Sequence, residues 1–281
     1  MKVIGALCLL TSLGAHANTR IIYGEDNRVD TLNSTSTLFR KLADSTAAMV
    51  ENEKITLRGN TAELNGVTLQ ERFSLCDKER FIEQPSIAYC SGFLVAPDVM
   101  ATAGHCMDSI GQCENFSWVF NYKITERGQT AVSIPTSEVY ACKSIIAYQY
   151  GAGRDFALIK LDRPVSGHAP VKLAQQEATI GAPLVLIGHP SGLPQKIADG
   201  AQVMSLHNGG FRANLDAFQI NSGSAVFHAR SGELVGILVN GLTDYRANEG
   251  LACTEVNVVP DTRGGEGVSA ASQFAALVPK N

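Results

Sequence analysis

Ser222 lies in a stretch whose residue types suit a nucleophile. It stands between Asn221 and Gly223, and the small residues Ser224 and Ala225 follow. A serine needs small neighbours when its hydroxyl is exposed on a tight turn while another molecule's backbone approaches, and glycine permits such a turn. Many turns have the same composition, so this stretch alone does not separate a nucleophile from an ordinary turn serine.

The stretch from Cys90 to Cys106 predicts a hairpin that holds a histidine. Two apolar segments flank a Pro-Asp turn, and a disulfide between the two cysteines would join the ends of the hairpin. Such a bridge stabilises a fold by ~3 kcal/mol in the chain-entropy model. His105 directly precedes Cys106, and a histidine held beside a disulfide keeps one position, as a general base must. A packed structural histidine is the alternative interpretation.

Asp155 enters an otherwise apolar predicted strand that ends at Leu161. An aspartate is seldom buried without a partner. A carboxylate at the mouth of this strand could accept a hydrogen bond from Nδ1 of His105, which would fix the tautomer of the ring and stabilise the imidazolium. An aspartate that only caps the strand is the alternative.

In the order His105, Asp155 and Ser222, the three stretches resemble the chymotrypsin-like serine endopeptidases. T-A-G-H-C, D-F-A-L-I-K-L and N-S-G-S-A-V-F are similar to the three signature regions of that family, in order and at plausible separations. The likeness is greatest to the secreted bacterial branch that includes the glutamyl endopeptidases. The G-H-P-S-G stretch at 188–192 of this sequence resembles the loop before the nucleophile in that branch. The resemblance covers about Ile21 to Val259.

This resemblance implies a serine endopeptidase that acts on a polypeptide substrate. Ser222 would attack the scissile carbonyl, with His105 as the general base and Asp155 as the carboxylate that orients the histidine. The backbone N–H groups of Ile220 and Ser222 would form the oxyanion hole. We expect a monomer that needs no cofactor and no metal, and no Cys-x-x-Cys pair or histidine cluster points to a zinc site.

The resemblance also implies an all-β fold of two six-stranded antiparallel barrels, packed face to face with the active site in the cleft between them. Short apolar runs separated by Gly, Pro, Asn and Asp agree with this class. The first barrel would carry His105 and Asp155, and the second would carry Ser222. The expected parts are a first barrel at 21–164, a second barrel at 165–262 and a tail at 263–281. We predict that the Gly-rich tail is a short C-terminal helix or partly disordered.

One position departs from the family pattern. Ile220 stands two residues before Ser222, where the family has glycine. For a β-branched residue a positive φ is a genuine outlier, and such strain costs ~1–3 kcal/mol. Three alternatives stay open: the strain is tolerated, the oxyanion hole forms only with substrate, or the protein has lost catalysis and binds peptide or protein partners.

Asp216 lies six residues before Ser222, where trypsin has the carboxylate at the base of its primary pocket. Pointing inward, it would pair with Lys or Arg at P1, the substrate residue before the cleaved bond. Equally, it could cap a turn or bond to nearby backbone. Val239, Asn240 and Gly241 should form the strand along which the substrate backbone pairs, with Gly241 keeping the pocket entrance open.

The N-terminus predicts export. Met1 and Lys2 precede a short apolar stretch and an A-x-A site that ends at Ala17, which is typical of a signal peptide at 1–17. A short pro-segment at 18–20 would follow. We therefore expect a secreted protein, either extracellular or periplasmic.

Removal of the signal peptide leaves six cysteines, and an even number in an exported chain indicates three disulfides. Cys90–Cys106 follows the family pattern. For the other four cysteines we expect Cys113–Cys142 and Cys76–Cys253, although spacing alone leaves the other pairings open.

Composition bounds the class of protein. At 281 residues, with 45% apolar and 18% charged residues, the chain has room for one large domain or two small ones. The net charge of -4 is mild, and no run of five or more Lys or Arg occurs. Neither nucleic acid nor an anionic membrane is therefore an expected partner.

Overall fold

The short apolar runs of the sequence become strands in the structure, a computed structural model that describes residues 22–151, 153–242, 244–262 and 264–279. Within these residues the strands are β1 Ile22–Tyr23, β2 Arg28–Asp30, β3 Thr46–Glu51, β4 Ile55–Arg58, β5 Thr61–Leu64, β6 Cys90–Ala96, β7 Val99–Thr102, β8 Phe116–Phe120, β9 Ser133–Pro135, β10 Val139–Gly151, β11 Arg154–Leu161, β12 Pro183–Gly188, β13 Lys196–His207, β14 Gly210–Ala213, β15 Ala225–His228, β16 Leu234–Asn240, β17 Tyr245–Ala247, β18 Thr254–Val256, β19 Val258–Val259 and β20 Glu266–Ala270. The α-helices are α1 Thr37–Ala43, α2 Leu69–Phe73 and α3 Ile110–Asn115. Short 3-10 turns cover Thr31–Asn33, Asn52–Lys54, Gly104–Met107, Thr136–Glu138, Pro190–Gly192, Ala271–Gln273 and Ala275–Leu277.

The first barrel is a closed ring of six antiparallel strands, in the order β10-β11-β7-β6-β3-β8. Closure leaves no unpaired strand edge in the ring. The predicted hairpin is formed by β6 and β7, with Phe93 opposite Ala101. Trp118 on β8 is almost fully buried in the core, so the chain's single tryptophan serves packing.

The second barrel has the order β12-β15-β16-β20-β14-β13, and a further pairing between β12 and β13 closes the ring. Its interior holds apolar side chains such as Leu186, Phe211 and Leu238. The predicted fold class, two six-stranded antiparallel barrels, is thus confirmed.

A continuous apolar core joins the two barrels face to face. Phe93 and Phe156 of the first barrel belong to the same buried cluster as Val185 and Phe227 of the second. Phe274 completes this cluster from the C-terminal segment, with its ring centroid 5.9 Å from that of Phe156. In place of the predicted C-terminal helix the structure has two 3-10 turns, and Phe274, which lies between them, is buried in the core.

The predicted tail at 263–281 was assigned wrongly in part, because β20 lies within it and pairs with both β14 and β16. Gly267 shows why composition misled. A Cβ on this residue would lie 2.2 Å from Oδ1 of Asn240 on the neighbouring strand. Glycine at 267 allows β20 to approach β16 closely. The glycine in this segment therefore reflects close strand packing in the second barrel and does not indicate a disordered tail.

The first residues of the described chain were also assigned to the wrong barrel. β2 pairs with β13 of the second barrel, with Asp30 opposite Lys196. The Lys196 ammonium lies 2.7 Å from a carboxylate oxygen of Asp30, and both side chains are buried. Buried charges need such partners, and this pair fixes the N-terminal segment to the second barrel.

The described residues contain three disulfides, and these confirm all three expected pairings: Cys76–Cys253, Cys90–Cys106 and Cys113–Cys142. The predicted signal peptide and pro-segment lie outside the described residues. Among the helices of the described chain, none is long and apolar enough to cross a membrane.

Candidate active site

His105 and Asp155 form a close pair at the edge of the cleft between the barrels. Nδ1 of His105 lies 2.8 Å from Oδ2 of Asp155, and the backbone N–H of His105 donates to Oδ1 at 3.1 Å. Both carboxylate oxygens therefore bind the same residue. With Nδ1 held by the carboxylate, Nε2 is the ring nitrogen left to exchange a proton with another group.

Local structure explains how His105 is held. It lies in the 3-10 turn Gly104–Met107, and the next residue, Cys106, is bonded to Cys90 at the start of β6. Asp155 is on β11, which pairs with β7. The disulfide and the pairing of Ala157 with Thr102 thus hold the two side chains at the same, open end of the β6–β7 hairpin.

Ser222 lies on a tight turn between Phe218 and β15. The N–H of Asn221 donates to the carbonyl of Phe218, and that of Ser224 donates to the carbonyl of Asn221. Gly223 has φ 87°, and a Cβ on it would lie 2.0 Å from the carbonyl oxygen of Ser91. Only glycine fits this place, because both the conformation and the neighbouring strand exclude a side chain.

Two contacts place Ser222 beside the histidine. The Ser91 N–H on β6 donates to the Ser222 carbonyl at 2.8 Å, and Sγ of Cys106 lies 3.8 Å from the same oxygen. Cys106 follows His105 directly, so the Ser222 turn of the second barrel contacts the residue next to the histidine. Within the described residues, no hydrogen bond joins the Ser222 hydroxyl to the imidazole; such contacts often tighten only when substrate binds.

Ile220 adopts the left-handed conformation, with φ 70°. The carbonyl of Gln219 accepts a hydrogen bond from the N–H of Ser191 at 2.8 Å, and Ser191 is fully buried. In a trans peptide the C=O and the following N–H point in opposite directions. Since the Gln219 carbonyl faces the buried Ser191, the N–H of Ile220 points away from Ser191. Ile220 and Ser222 line one cavity together.

This cavity has a volume of about 300 Å³ and lies next to the Ser222 turn. Of the predicted substrate-binding residues, Asn240 and Gly241 line it, whereas Val239 and Asn240 line a neighbouring cavity. A Cβ on Gly241 would lie 1.9 Å from a carboxylate oxygen of Glu266. Glycine at 241 therefore leaves room for that carboxylate at the cavity.

Asp216 does not lie where the pocket hypothesis put it, and this prediction is corrected. Its two carboxylate oxygens accept the backbone N–H groups of Tyr23 at 2.9 Å and Asn27 at 2.8 Å. The side chain is buried, and it is not among the residues that line the cavity. Burial raises the pKa of Asp216 to about 6. Asp216 fastens the N-terminal segment to the second barrel.

Two other acidic residues, which sequence reasoning missed, line the cavity: Asp244 and Glu266. Asp244 accepts the backbone N–H of Gln219 at 2.6 Å. Oε1 of Glu266 is 3.3 Å from the hydroxyl of Tyr23. Burial raises the pKa of Glu266 well above its usual range. No local motif marks either residue, and Glu266 lies on the strand that composition had assigned to a tail.

Comparison with known proteins agrees with this geometry. The trypsin-like peptidase domain matches residues 90–237, more than half of the chain. The chain belongs to the trypsin-like peptidase family. It is therefore a serine endopeptidase, and the match spans all three of the stretches that carry His105, Asp155 and Ser222.

Solved structures show the same fold. The structure of a Glu endopeptidase in complex with MPD superposes with a TM-score of 0.53 at 17% identity, covering 92% of this chain and 97% of that chain. The active form of the Rv3671c protease from M. tuberculosis gives a TM-score of 0.49 at 12% identity, covering 99% and 93% of the two chains. The second likeness is too remote to support an argument.

We predict that Asp216→Ala destabilises this peptidase without changing its choice of substrate. The buried N–H of Tyr23 and the partly buried N–H of Asn27 would lose their acceptor, which costs ~1–3 kcal/mol for a buried unsatisfied group. Thermal or urea unfolding measures the loss, with the exposed Asp199→Ala as the matched control. If Asp216→Ala instead lost a preference for Lys or Arg while its stability stayed unchanged, Asp216 would be a residue of the P1 pocket and this prediction would be wrong.

The carboxyl of Asp216 also makes the free energy of unfolding depend on pH. Its pKa is raised from 3.8 to about 6 in the folded protein, so the folded state binds this proton more tightly than the unfolded state. Its contribution therefore makes the free energy of unfolding fall as the pH rises from about 4 to about 6. In Asp216→Ala this part of the slope should vanish, as unfolding curves at several pH values would measure.

Proposed function

We propose that this peptidase is an exported enzyme of the secreted bacterial type, which cleaves peptide bonds after Lys or Arg through an acyl-enzyme on Ser222. The observation that carries the proposal is the convergence of three groups on one place. The His105–Asp155 pair lies near the Ser222 turn, because Cys106 beside His105 contacts the Ser222 carbonyl, and Ser222 shares a cavity with Ile220.

The roles follow from the geometry. Asp155 holds the proton on Nδ1 of His105, so Nε2 accepts the proton of the Ser222 hydroxyl as its oxygen attacks the scissile carbonyl. The same nitrogen then protonates the leaving amine, and an acyl-enzyme remains. Water attacks that ester with His105 again taking the proton, and Ser222 is regenerated.

The oxyanion of each tetrahedral intermediate is bound by the backbone N–H groups of Ile220 and Ser222. One such donor contributes about 2.7–4 kcal/mol to transition-state stabilisation, whereas the positive φ of Ile220 costs about 1–3 kcal/mol. The bond between Gln219 and Ser191 keeps the peptide in its orientation despite that strain. This supports a working enzyme over the alternative, a non-catalytic homologue that binds peptide or protein partners.

A basic P1 residue suits the charge of the cavity. Glu266 and Asp244 line it. Because Gly241 has no side chain to cover Glu266, a Lys or Arg side chain in the cavity can reach the Glu266 carboxylate. A glutamate at P1 would find no cationic partner among the described residues that line this cavity. The preference proposed for this chain therefore differs from that of the Glu endopeptidase whose fold it shares.

The pairing of the cysteines supports export. All six that follow the predicted signal peptide are paired in disulfides, and such bonds persist in oxidising compartments. We propose an extracellular or periplasmic monomer whose partner is a polypeptide substrate.

The nucleophile is tested with a fluorophosphonate probe, which labels an activated serine. We expect labelling of the mature protein at neutral pH and its loss in Ser222→Ala, because the hydroxyl is the only group the probe can trap in this site. Ser205→Ala, which removes an exposed serine of β13, is the control and should label normally. Unlabelled wild-type protein at neutral pH contradicts the proposal.

The oxyanion hole is tested at Ile220. We expect Ile220→Gly to keep kcat within a few-fold, because its N–H would keep the direction that the Gln219 carbonyl imposes. Ile220→Pro has no N–H and cannot adopt φ 70°, so it loses the donor together with the conformation that orients it, and kcat should fall by at least about 10²-fold. A hundredfold gain in Ile220→Gly would mean that isoleucine keeps the hole closed in the natural enzyme.

P1 recognition is tested at Glu266. Glu266→Gln should lower kcat/KM for peptides with Lys or Arg at P1 by about ten- to a hundredfold, as expected for a lost charge-assisted bond of about 1.5–3 kcal/mol. Peptides with a neutral P1 residue should be spared. The exposed Glu249→Gln is the matched control, and an unchanged Lys and Arg preference in Glu266→Gln would rule out this role.

Because burial raises the pKa of Glu266, a cationic ligand that favours the ionised carboxylate should bind more tightly as the pH rises and should release a proton on binding. Calorimetric titration with benzamidine in buffers of different ionisation enthalpy measures that proton. Binding that is independent of pH from 5 to 8 would contradict this role of the buried acid.

A further inference from the structure

A second cavity lies beside the His105–Asp155 pair, between the two barrels. It has a volume of about 360 Å³. On one side it is bounded by Gly153, which lies between β10 and β11, and by Arg154 at the start of β11, and on the other by His207 and Arg212 of the second barrel. The two sides touch, because a Cβ on Gly209 would lie 2.9 Å from the carbonyl oxygen of Gly153.

The lining of this cavity has an excess of positive charge. Arg154 and Arg212 are both exposed, and in the described part of the chain neither forms an ion pair. Asp155 is the one acidic residue among the described residues of the lining, and His105 occupies both of its oxygens. Arg212 gives one N–H to the carbonyl of Gly265 at 2.6 Å, which leaves most of its donors available.

The position of this cavity relates it to the substrate path. Asn240 lines both this cavity and the one next to Ser222. A peptide that pairs with Val239–Gly241 as an extended strand directs successive side chains to opposite faces. With P1 in the cavity at Ser222, the side chains of P2 and P4 face the other way, toward the arginines, while P3 does not.

We propose that this cavity is a subsite for an acidic side chain, Asp or Glu, at P2 or P4 of the substrate; the assignment rests on the proposed function of the same cleft. A guanidinium binds a carboxylate through two parallel N–H···O bonds. Arg154 and Arg212 approach from different barrels and so can hold the carboxylate between them. The preferred substrate then carries an acidic residue shortly before a basic one.

Cleavage of matched peptides tests the subsite. Each peptide keeps the P1 residue that profiling shows to be preferred and carries Glu or the isosteric Gln at P2, P3 or P4. We expect kcat/KM to be roughly five- to twentyfold higher for Glu than for Gln at P2 or P4, with no difference at P3. Equal values at all three positions would overturn the proposal.

Variants then connect the preference to the arginines. In Arg154→Ala/Arg212→Ala the ratio of Glu to Gln should fall to about one, and in Arg154→Lys/Arg212→Lys part of it should remain because the charge is kept. Arg230→Ala removes an exposed arginine of the β15–β16 turn and should leave the ratio unchanged. A ratio that survives in the double alanine variant assigns the preference elsewhere.

Binding separates this proposal from the catalytic one. Fluorescence anisotropy with labelled peptides on Ser222→Ala measures the affinity difference between Glu and Gln without any cleavage. Tighter binding of Glu peptides that disappears on adding Arg154→Ala and Arg212→Ala supports the subsite even if the assigned nucleophile is wrong. Equal affinities overturn it even if the enzyme is active.

Discussion

The hydrogen bond from the N–H of Ser191 to the carbonyl of Gln219 is the contact on which the active site depends. It fixes the plane of one peptide and so the direction of the Ile220 N–H. Ile220 has a positive φ that its branched side chain disfavours, and a free loop would relax from it. The peptide keeps its orientation because Asp244 also binds the Gln219 N–H, so both sides of Gln219 are held.

The site is assembled from backbone contacts between the barrels, and these require residues without side chains. The Ser222 carbonyl is bound by β6 of the first barrel, and Gly223 lies so close to the Ser91 carbonyl that no Cβ fits. The disulfide from β6 to Cys106 continues this connection to the histidine. Ser222 and His105, the proposed nucleophile and base, thus share one structural unit although each belongs to a different barrel.

The two buried carboxylates Asp216 and Glu266 of the second barrel have different structural roles. Asp216 gives both oxygens to the backbone of the N-terminal segment, whereas Glu266 lines the cavity and has one oxygen near the Tyr23 hydroxyl. Tyr23 therefore contacts both acids, through its N–H and its hydroxyl. The N-terminal segment supports the wall of the cavity in this way, although no part of it lines the cavity.

The sequence by itself determined the family resemblance, and through it the double-barrel class and the Cys90–Cys106 pair, because the motifs around His105, Asp155 and Ser222 are short and local. The pairs Cys113–Cys142 and Cys76–Cys253 were expected, but spacing left other pairings open and the structure decided them. The sequence also showed that Ile220 departs from the family pattern at the expected oxyanion hole. Only the tertiary structure decided which acid faces the cavity, which way the Ile220 peptide points and where both ends of the chain pack. These depend on pairings such as β2 with β13 and β20 with β16. Such contacts join distant parts of the chain, so no local pattern encodes them.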